Sequence, residues 1–292
     1  MKASAFAYVR ATSVANALEL LVAHRDKAKV LSGGQSLLPA INLRLVSPEI
    51  LIDIGELAEL RGIAVTGDHI RIGALMRHAE LLRSAEIAAQ SPLLAAAIAR
   101  VGHPAIRNRG TLGGSLAHAD PASELPACML ALDATIIIRN QTGERRVAAI
   151  DFCRGIYETA LSPDDLLVAV ELPIAKKNSA HFFDEFARRH GDYAVAGLAA
   201  QATVESGIFR SLRLAFFAVD DRPVLAGTAV ELVDAPVTRQ LLSTASTALG
   251  QELNPPDDQQ ASGAMRRHLA TVLLNRCVAA LLDRPDLAAR AA

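Results

Sequence analysis

The stretch LSGGQSL (residues 31–37) recurs in similar form about eighty residues later as GTLGGSL (residues 110–116). Each follows a segment that can form a strand or a short helix, and each contains a small hydroxyl residue. Because glycine has no Cβ, a Gly-Gly pair adopts positive φ readily and turns successive N–H groups toward one point, where a phosphate can approach the backbone. Each stretch alone is a common turn signal. Together they predict a cradle for the two phosphates of one dinucleotide.

The composition indicates a globular chain with more than one subdomain. Of the 292 residues, 51% are hydrophobic and 21% charged, and the net charge of −1 gives no basic excess to attract nucleic acid or an anionic membrane. No apolar run reaches the roughly 18 residues of a membrane-spanning helix. Arg10 interrupts the N-terminal run MKASAFAYVR, which is too short for a signal-peptide core. We therefore expect a cytoplasmic protein with no membrane span and no nucleic-acid partner.

No metal site or catalytic group emerges from the sequence. Cys128, Cys153 and Cys277 are widely separated and are expected to be buried thiols. Since an iron-sulfur cluster normally needs four thiolates, this chain cannot hold one alone. His118 precedes Asp120 as a base would precede its orienting acid, but no partner nucleophile is visible. We interpret His118 and His103 as structural.

Hydrophobic periodicity predicts most elements of the first 175 residues. Apolar residues at helical spacing after Ser13 predict a helix at about 13–24. Further helices are predicted at 36–43, 77–89 and 92–101, strands at 28–31, 49–54, 134–139, 145–149 and 166–172, and a hairpin at 62–65 and 69–73. Asp120-Pro121 is predicted to open another helix, with Glu124 in its first turn.

The polar run from Leu172-Pro173 to Ser179 suggests a domain boundary. Three long antiparallel strands are predicted beyond it, at 182–189, 194–205 and 209–219, and helices at 223–233, 236–250 and 261–282.

Longer runs around both glycine stretches resemble one known family. They are AKVLSGGQSLLPAINLRL (28–45) and GHPAIRNRGTLGGSLAHADPASELPACMLAL (102–132), and they resemble the FAD-binding, or medium, subunits of molybdenum hydroxylases such as carbon monoxide dehydrogenase and xanthine dehydrogenase. The resemblance runs from about residue 1 to 220. It implies an α+β fold whose two-part FAD-binding region, of the vanillyl-alcohol-oxidase-like (PCMH-type) fold, occupies residues 1–175, with subdomains at about 1–55 and 56–175. It implies a C-terminal α+β domain at 176–292, with a three-stranded antiparallel sheet and helices.

The resemblance also implies that FAD lies between the two parts, with its pyrophosphate on both glycine stretches. The cofactor-binding residues that it implies are Val30, Leu31, Ser32, Gly33, Gly34, Gln35, Ser36 and Leu37 in the first stretch and Thr111, Leu112, Gly113, Gly114 and Ser115 in the second. Family positions that contact the ribityl and adenine portions fall on Val101, Ala117, Glu124 and Leu167, and Tyr193 matches a position near the isoalloxazine ring. Each of these five also has a structural interpretation, such as core packing for Val101 and Leu167.

Several residues near the two stretches modify this expectation. Gln35 stands where some flavoproteins attach the flavin through histidine, and its amide is a poor nucleophile, so FAD is expected to bind non-covalently. Arg107 and Arg109 could bind phosphate or lie on the surface. Ser115 replaces the Asn or Asp that relatives often carry, which leaves the last contact of the second stretch in doubt. Arg222 precedes Pro223, whereas the arginine of relatives commonly follows the proline.

The function implied by the resemblance is electron transfer within a larger enzyme. A large molybdopterin subunit and a small subunit with 2Fe-2S clusters are the expected partners, in a dimer of heterotrimers, and FAD on this chain passes electrons to an external acceptor. Two other functions remain open at this point. One is a self-contained flavin oxidoreductase of the same superfold, which needs its own substrate pocket; the other is an assembly module that has lost its flavin.

Overall fold

A small parallel sheet begins the fold. The computed structural model describes residues 2–288, so the parts of the predicted domains that fall on residues 1 and 289–292 lie outside the described residues. The first elements are β1 (Ala7–Arg10), α1 (Val14–His24), β2 (Ala28–Leu31), α2 (Leu37–Asn42) and β3 (Ile50–Asp53), and the strand order is β1-β3-β2. The Ser13 Oγ accepts the Asn16 N–H at 3.0 Å and caps α1 as predicted. Strand β1 was not predicted, because it is short, largely exposed and shows no clear alternation.

A larger antiparallel sheet follows, with helices packed on it. Its region contains β4 (Ile63–Thr66), β5 (His69–Gly73), β6 (Thr135–Asn140), β7 (Gly143–Ala148), β8 (Cys153–Gly155), β9 (Glu158–Thr159) and β10 (Leu166–Pro173). The helices are α3 (His78–Arg83), α4 (Ala85–Gln90), α5 (Pro92–Arg100), α6 (Pro104–Arg107), α7 (Leu112–His118), α8 (Glu124–Ala131) and α9 (Ala149–Phe152). The five-stranded sheet has the order β4-β5-β10-β6-β7, and β8 pairs with β9 in a separate hairpin.

The central strands of the large sheet, β6 and β10, are buried on both faces. Side chains alternate along a strand, so Ile136 and Ile138 of β6 pack among the helices while Ile137 packs with the small parallel sheet. Val168 in β10 likewise faces the small sheet, whereas Leu167 faces the helices. The two sheets are therefore held together by a shared apolar core.

The C-terminal region is a second sheet with helices. It comprises β11 (Ser179–Phe186), β12 (Ala196–Glu205), β13 (Ile208–Phe217), β14 (Val224–Leu225), α10 (Arg239–Glu252) and α11 (Gly263–Leu281), in the strand order β11-β12-β13-β14. Leu198 and Phe216 point into a core shared with α10 and α11, while Ala199 and Phe217 point into the core that contains α5 and α8. The sheet therefore lies between the helices of the two parts. Short 3-10 helices occupy residues 25–27, 58–60, 227–232 and 285–287.

The structure corrects two predicted helices of the first part. The helix expected at 77–89 is broken at Ser84, whose backbone is extended (φ −75°, ψ 123°) and whose Oγ accepts the Ile87 N–H at 3.2 Å to start α4. The helix expected from Asp120 begins only at Glu124, because the Asp120 side chain accepts the Ala122 N–H at 2.9 Å and forms a turn.

The three long C-terminal strands are present, the first of them at Ser179–Phe186 and therefore three residues earlier than predicted, and the sheet has a fourth strand. Residues 223–233 do not form the predicted helix: Val224 and Leu225 pair with Phe216 and Ala215 as β14, and a 3-10 helix follows. Pairing with the edge of β13 gives partners to backbone groups that would otherwise be unpaired. The predicted helices at 236–250 and 261–282 are confirmed as α10 and α11.

Candidate cofactor-binding site

The first glycine stretch is a loop that joins β2 to α2. Val30 and Leu31 end the strand, and Leu37 begins the helix. Gly34 has a φ of +73°, the left-handed conformation that glycine favours. Within the described residues, the backbone N–H groups of residues 33–37 donate to no other protein group. Successive free N–H groups around a left-handed residue form a concave anion-binding nest.

The second glycine stretch is the start of a helix. Thr111 is the N-cap of α7, and its Oγ1 accepts the Gly114 N–H at 3.1 Å. The N–H groups of Leu112 and Gly113 donate to backbone carbonyls of the segment after β5, at 3.0 and 2.9 Å. Neither Gly113 nor Gly114 has a positive φ. The expectation that this pair turns free N–H groups toward a ligand is therefore wrong, because the protein uses those groups itself.

Close packing explains the glycines of the second stretch. A Cβ on Gly113 would lie 2.6 Å from the Ala74 Cβ, and a Cβ on Gly114 would lie 2.8 Å from the Thr111 Oγ1. Helix α7 therefore passes so close to the segment after β5 that a side chain at residue 113 has no room.

The fold brings the two stretches into direct contact. The hydroxyl oxygens of Ser32 and Thr111 are 2.8 Å apart. A Cβ on Gly33 would lie 2.2 Å from the backbone oxygen of Arg109, so the two backbones touch at this point. The convergence predicted from the sequence is confirmed, although the N–H groups of Leu112, Gly113 and Gly114 in the second stretch already donate to protein groups.

A cleft of about 300 Å³ opens beside the first stretch. It is lined by Leu31, Ser32, Gly33, Gly34, Leu38, Asp53, Gly55, Glu56, Leu75 and Thr111 and by four arginines, Arg10, Arg61, Arg77 and Arg109. Arg10 pairs with carboxylates at this cleft, and Arg61 pairs with Glu80 at 3.6 Å. Arg77 and Arg109 are exposed and form no ion pair in the part of the chain that the structure describes. The cleft therefore combines free N–H groups with free positive charge.

The two arginines of the predicted cluster differ in role. Arg109 lines the cleft, whereas the Arg107 guanidinium donates to the backbone oxygens of Val101 and Gly102, at 2.9 and 2.8 Å. Arg107 stabilises the turn after α5 through these two hydrogen bonds. Arg77 was missed by sequence reasoning, since it lies thirty residues before this cluster and has no motif of its own.

A second group of functional candidates gathers beyond the C-terminal end of α7. The rings of His118 and Tyr157 have centroids 4.9 Å apart. Tyr193 is half exposed, and burial, followed by the nearby Asp120, raises its pKa to about 12. Glu124 is only 9% exposed, and burial raises the pKa of its carboxyl to about 8, so the acid is mostly protonated at neutral pH.

The segment that carries Tyr193 rests on the turn after α5. A Cβ on Gly191 would lie 2.6 Å from the His103 Cε1, which shows how closely the two segments approach. His103 thus has a packing role. Val101 and Leu167 are buried in the core with the helices, and Ala117 is exposed on α7. Tyr157 was missed because the β8–β9 hairpin is too short to give a sequence signal.

Among the described residues, no group of three or more His, Cys, Asp or Glu side chains has metal-binding geometry. Across residues 2–288, no helix has both the length and the apolar character needed to cross a membrane.

Known proteins match this chain over nearly its full length. Residues 4–175 match the family described as the FAD binding domain in molybdopterin dehydrogenase, and residues 181–281 match the CO dehydrogenase flavoprotein C-terminal domain. This chain is a molybdenum hydroxylase flavoprotein subunit. The α subunit of the 6-hydroxypseudooxynicotine dehydrogenase complex of Paenarthrobacter nicotinovorans is 38% identical, over 97% of both chains.

Two further relatives extend this similarity. The xanthine dehydrogenase FAD-binding subunit of Escherichia coli O157:H7 is 31% identical, over 93% of this chain and 94% of that subunit. The solved structure of carbon monoxide dehydrogenase from Hydrogenophaga pseudoflava superposes with a TM-score of 0.95 at 32% identity, over 97% of this chain and 99% of its own. The family, the α+β fold, the FAD cofactor and the oxidoreductase class expected from the sequence are confirmed for this flavoprotein subunit. The names of the relatives also favour a subunit over a self-contained flavoenzyme.

Proposed function

We propose that this flavoprotein subunit carries electrons between two partner subunits and an external acceptor. Electrons would leave a substrate at a molybdenum cofactor on a large subunit, cross 2Fe-2S clusters on a small subunit and reach FAD here. The relatives are named as subunits of multi-subunit dehydrogenases, which supports a complex of this kind. With three cysteines the chain has too few thiolates for a cluster of its own. A dimer of such heterotrimers is part of the proposal.

The free N–H groups of residues 33–37 carry the assignment of the FAD site. A pyrophosphate has several strong acceptor oxygens and negative charge. A nest of N–H groups, with two guanidiniums beside it that form no ion pair within residues 2–288, supplies matching donors. The contact between Ser32 and Thr111 holds the loop in place. We assign the pyrophosphate to this cleft, with Arg77 and Arg109 as its cationic partners.

The residues at the other end of α7 are assigned to the rest of the cofactor. A seven-residue helix spans roughly 10 Å, so Thr111 and His118 mark two separated ends of one site. The resemblance assigns Val101, Ala117, Glu124 and Leu167 to the ribityl and adenine portions and Tyr193 to a face of the flavin ring. The protonated Glu124 can donate a hydrogen bond that a carboxylate cannot.

FAD, when bound, supplies the redox chemistry, and the protein supplies binding, orientation and protection from water. Non-covalent binding is supported by Gln35, whose side-chain N–H donates to the Gly33 backbone oxygen at 3.1 Å and so stabilises the loop. A cytoplasmic location belongs to the same proposal and is supported by three free cysteines, which are usual in reducing compartments.

Co-expression with the two partner subunits tests this function. We expect the chain to purify with both subunits and with FAD that acid precipitation releases completely into the supernatant. In the complex, anaerobic addition of the hydroxylase substrate should bleach the flavin absorbance, and without the partners it should not. Substrate-dependent bleaching of the chain alone would establish the self-contained flavoenzyme instead. Colour retained in the acid pellet would contradict non-covalent binding.

A further inference from the structure

The segment that carries Tyr193 is an irregular loop, residues 187–195, between β11 and β12. The ends of the loop meet where the Val195 N–H donates to the Phe186 oxygen at 2.7 Å. Tyr193 is 54% exposed, so contacts of its own ring hold it only in part. The position of Tyr193 therefore depends on what holds the loop.

A turn at residues 257–261, between α10 and α11, is attached to both ends of this loop through two arginines; we call it the C-terminal turn. Arg188, at the start of the loop, donates its guanidinium to the backbone oxygens of residues 259 and 260, at 3.2 and 3.1 Å. Arg266, in the first turn of α11, donates to the Val195 backbone oxygen at the end of the loop, at 2.7 Å.

The Asp258 carboxylate connects these two attachments. One of its oxygens accepts the backbone N–H groups of Gln260 and Ala261, at 2.8 and 3.1 Å, and so orders the turn whose carbonyls accept from Arg188. The other oxygen accepts the Arg266 guanidinium at 2.6 Å. A hydrogen bond between two charged groups is stronger than one between neutral groups. The loop, the C-terminal turn and α11 therefore form one connected network.

Arg266 also reaches the other segment at this corner of the site. Its guanidinium donates to the Ala218 oxygen at 2.7 Å, and the Ala218 N–H donates to the Pro121 oxygen at 2.8 Å, next to Asp120. Arg266 is 4% exposed, and its Nε has no hydrogen-bond partner within residues 2–288. Replacement of a buried ion pair by packed apolar residues is often neutral or stabilising. Stability alone therefore does not account for a buried cation at this position.

We propose that the C-terminal turn and its two arginines position Tyr193 over the flavin. The positioning residues are Arg188, Asp258 and Arg266. The inference rests on the proposed function, which assigns Tyr193 to a face of the flavin ring. On its other side the loop rests against the turn after α5, so it is held from two directions. The C-terminal region thereby acts on the cofactor through this loop.

The variant Tyr193→Trp reports on the loop without FAD. The chain has no tryptophan of its own, so emission from the isolated full chain comes from this residue alone. Arg188→Gln and Asp258→Asn, each combined with Tyr193→Trp, should raise quenching by acrylamide about twofold, because a residue that is 54% exposed becomes fully accessible when the loop is released. Acrylamide is neutral, so the change of charge does not attract or repel it.

The control for this measurement is Arg210→Gln. Arg210 is exposed and pairs with Asp234, at the opposite end of the same sheet, and its loss should leave the quenching unchanged. Since Arg266 is buried, its replacement also changes the stability of the chain. The exposed Arg188 and Asp258 therefore carry the test.

A double-mutant cycle in the assembled complex tests the effect on FAD. Arg188→Gln should shift the visible absorption band of the flavin in the same direction as Tyr193→Ala. The double variant should shift the band no further than Tyr193→Ala alone, because residues that act through one contact are not additive.

The outcomes separate this inference from the proposed function. Unchanged quenching in both Arg188→Gln and Asp258→Asn would overturn the inference. Shifts of the flavin band that add in the double variant would also overturn it, because Arg188 would then act without Tyr193. If quenching responded but Tyr193→Ala left the flavin band unchanged, the assignment of Tyr193 to the flavin, which belongs to the proposed function, would be wrong.

Discussion

The two glycine stretches have similar sequences, but the backbone N–H groups of their glycine pairs differ in whether the protein itself accepts them. In the first, five consecutive N–H groups have no protein acceptor within the described residues, and Gly34 is left-handed. In the second, the N–H groups of Leu112, Gly113 and Gly114 are all bonded and no glycine is left-handed. A Gly-Gly pair therefore indicates a place where another group comes close to the backbone. The surrounding structure decides whether that group is a ligand or another segment of the protein.

The flanking elements account for this difference. The first stretch leaves the end of a parallel strand and turns before α2, and within residues 2–288 no backbone carbonyl accepts its N–H groups 33–37, although the Arg109 backbone lies close to Gly33. The second stretch enters α7 against the segment after β5, whose carbonyls take the first helical N–H groups. Four predictions test the comparison, in order of decreasing effect.

The largest effect is expected for Gly33→Ala. The new Cβ would lie 2.2 Å from the Arg109 backbone oxygen, so the loop must move away from the second stretch. Overpacking of this kind costs up to about 3 kcal/mol, which corresponds to roughly hundredfold weaker FAD binding. Titration of FAD into the assembled complex measures this loss of affinity. Gly250→Ala is the matched control, because a Cβ there has no neighbour within 4 Å; equal loss in both variants would contradict the assignment.

Gly113→Ala should reduce stability more than FAD affinity. Its Cβ would lie 2.6 Å from the Ala74 Cβ, in the contact between α7 and the segment after β5. We expect a loss of about 1 to 3 kcal/mol in the free energy of unfolding, measured by denaturant titration of the full chain. If FAD affinity fell as strongly as in Gly33→Ala with stability unchanged, the second stretch would be a direct phosphate cradle after all.

Arg77→Gln and Arg109→Gln should each weaken FAD about tenfold, because each removes a charged donor from the cleft beside the first stretch. Added salt should weaken FAD binding to the unmodified complex more than to these variants. The control is Arg83→Gln, an exposed arginine of α3 that does not line the cleft. Affinity unchanged in both cleft variants would place the pyrophosphate elsewhere.

The smallest effect is expected for Thr111→Val, which removes the hydroxyl that joins the two stretches and caps α7. Loss of an N-cap costs about 1 kcal/mol, and the melting temperature of the chain should fall accordingly. Thr111→Ser keeps the hydroxyl and should melt close to the unmodified chain. Similar melting of the valine and serine variants would show that this bond contributes nothing to stability.

Sequence reasoning predicted most long elements and the family, because apolar periodicity and extended motif runs are local signals. It missed β1, β14 and the β8–β9 hairpin, whose short strands depend on pairing partners distant in sequence. Among the residues that the structure brings to the cleft or to the end of α7, it pointed to the two glycine stretches and left Arg109 open, and it named neither Arg77 nor Tyr157. The contacts between these residues and FAD stay predictions, and so do the domain boundaries.

The sequence by itself determined the class of this protein, an α+β flavoprotein subunit, and predicted that its two glycine stretches come together, as they do. Only the tertiary structure decided which Gly-Gly pair keeps its N–H groups free, since that depends on whether an acceptor oxygen lies within hydrogen-bonding distance. It likewise decided that Arg266 donates to the backbone of Val195, seventy-one residues away in the chain. Local propensity fixes which conformations a segment can adopt, whereas hydrogen-bond partners and close packing are set by residues that meet only when the chain folds.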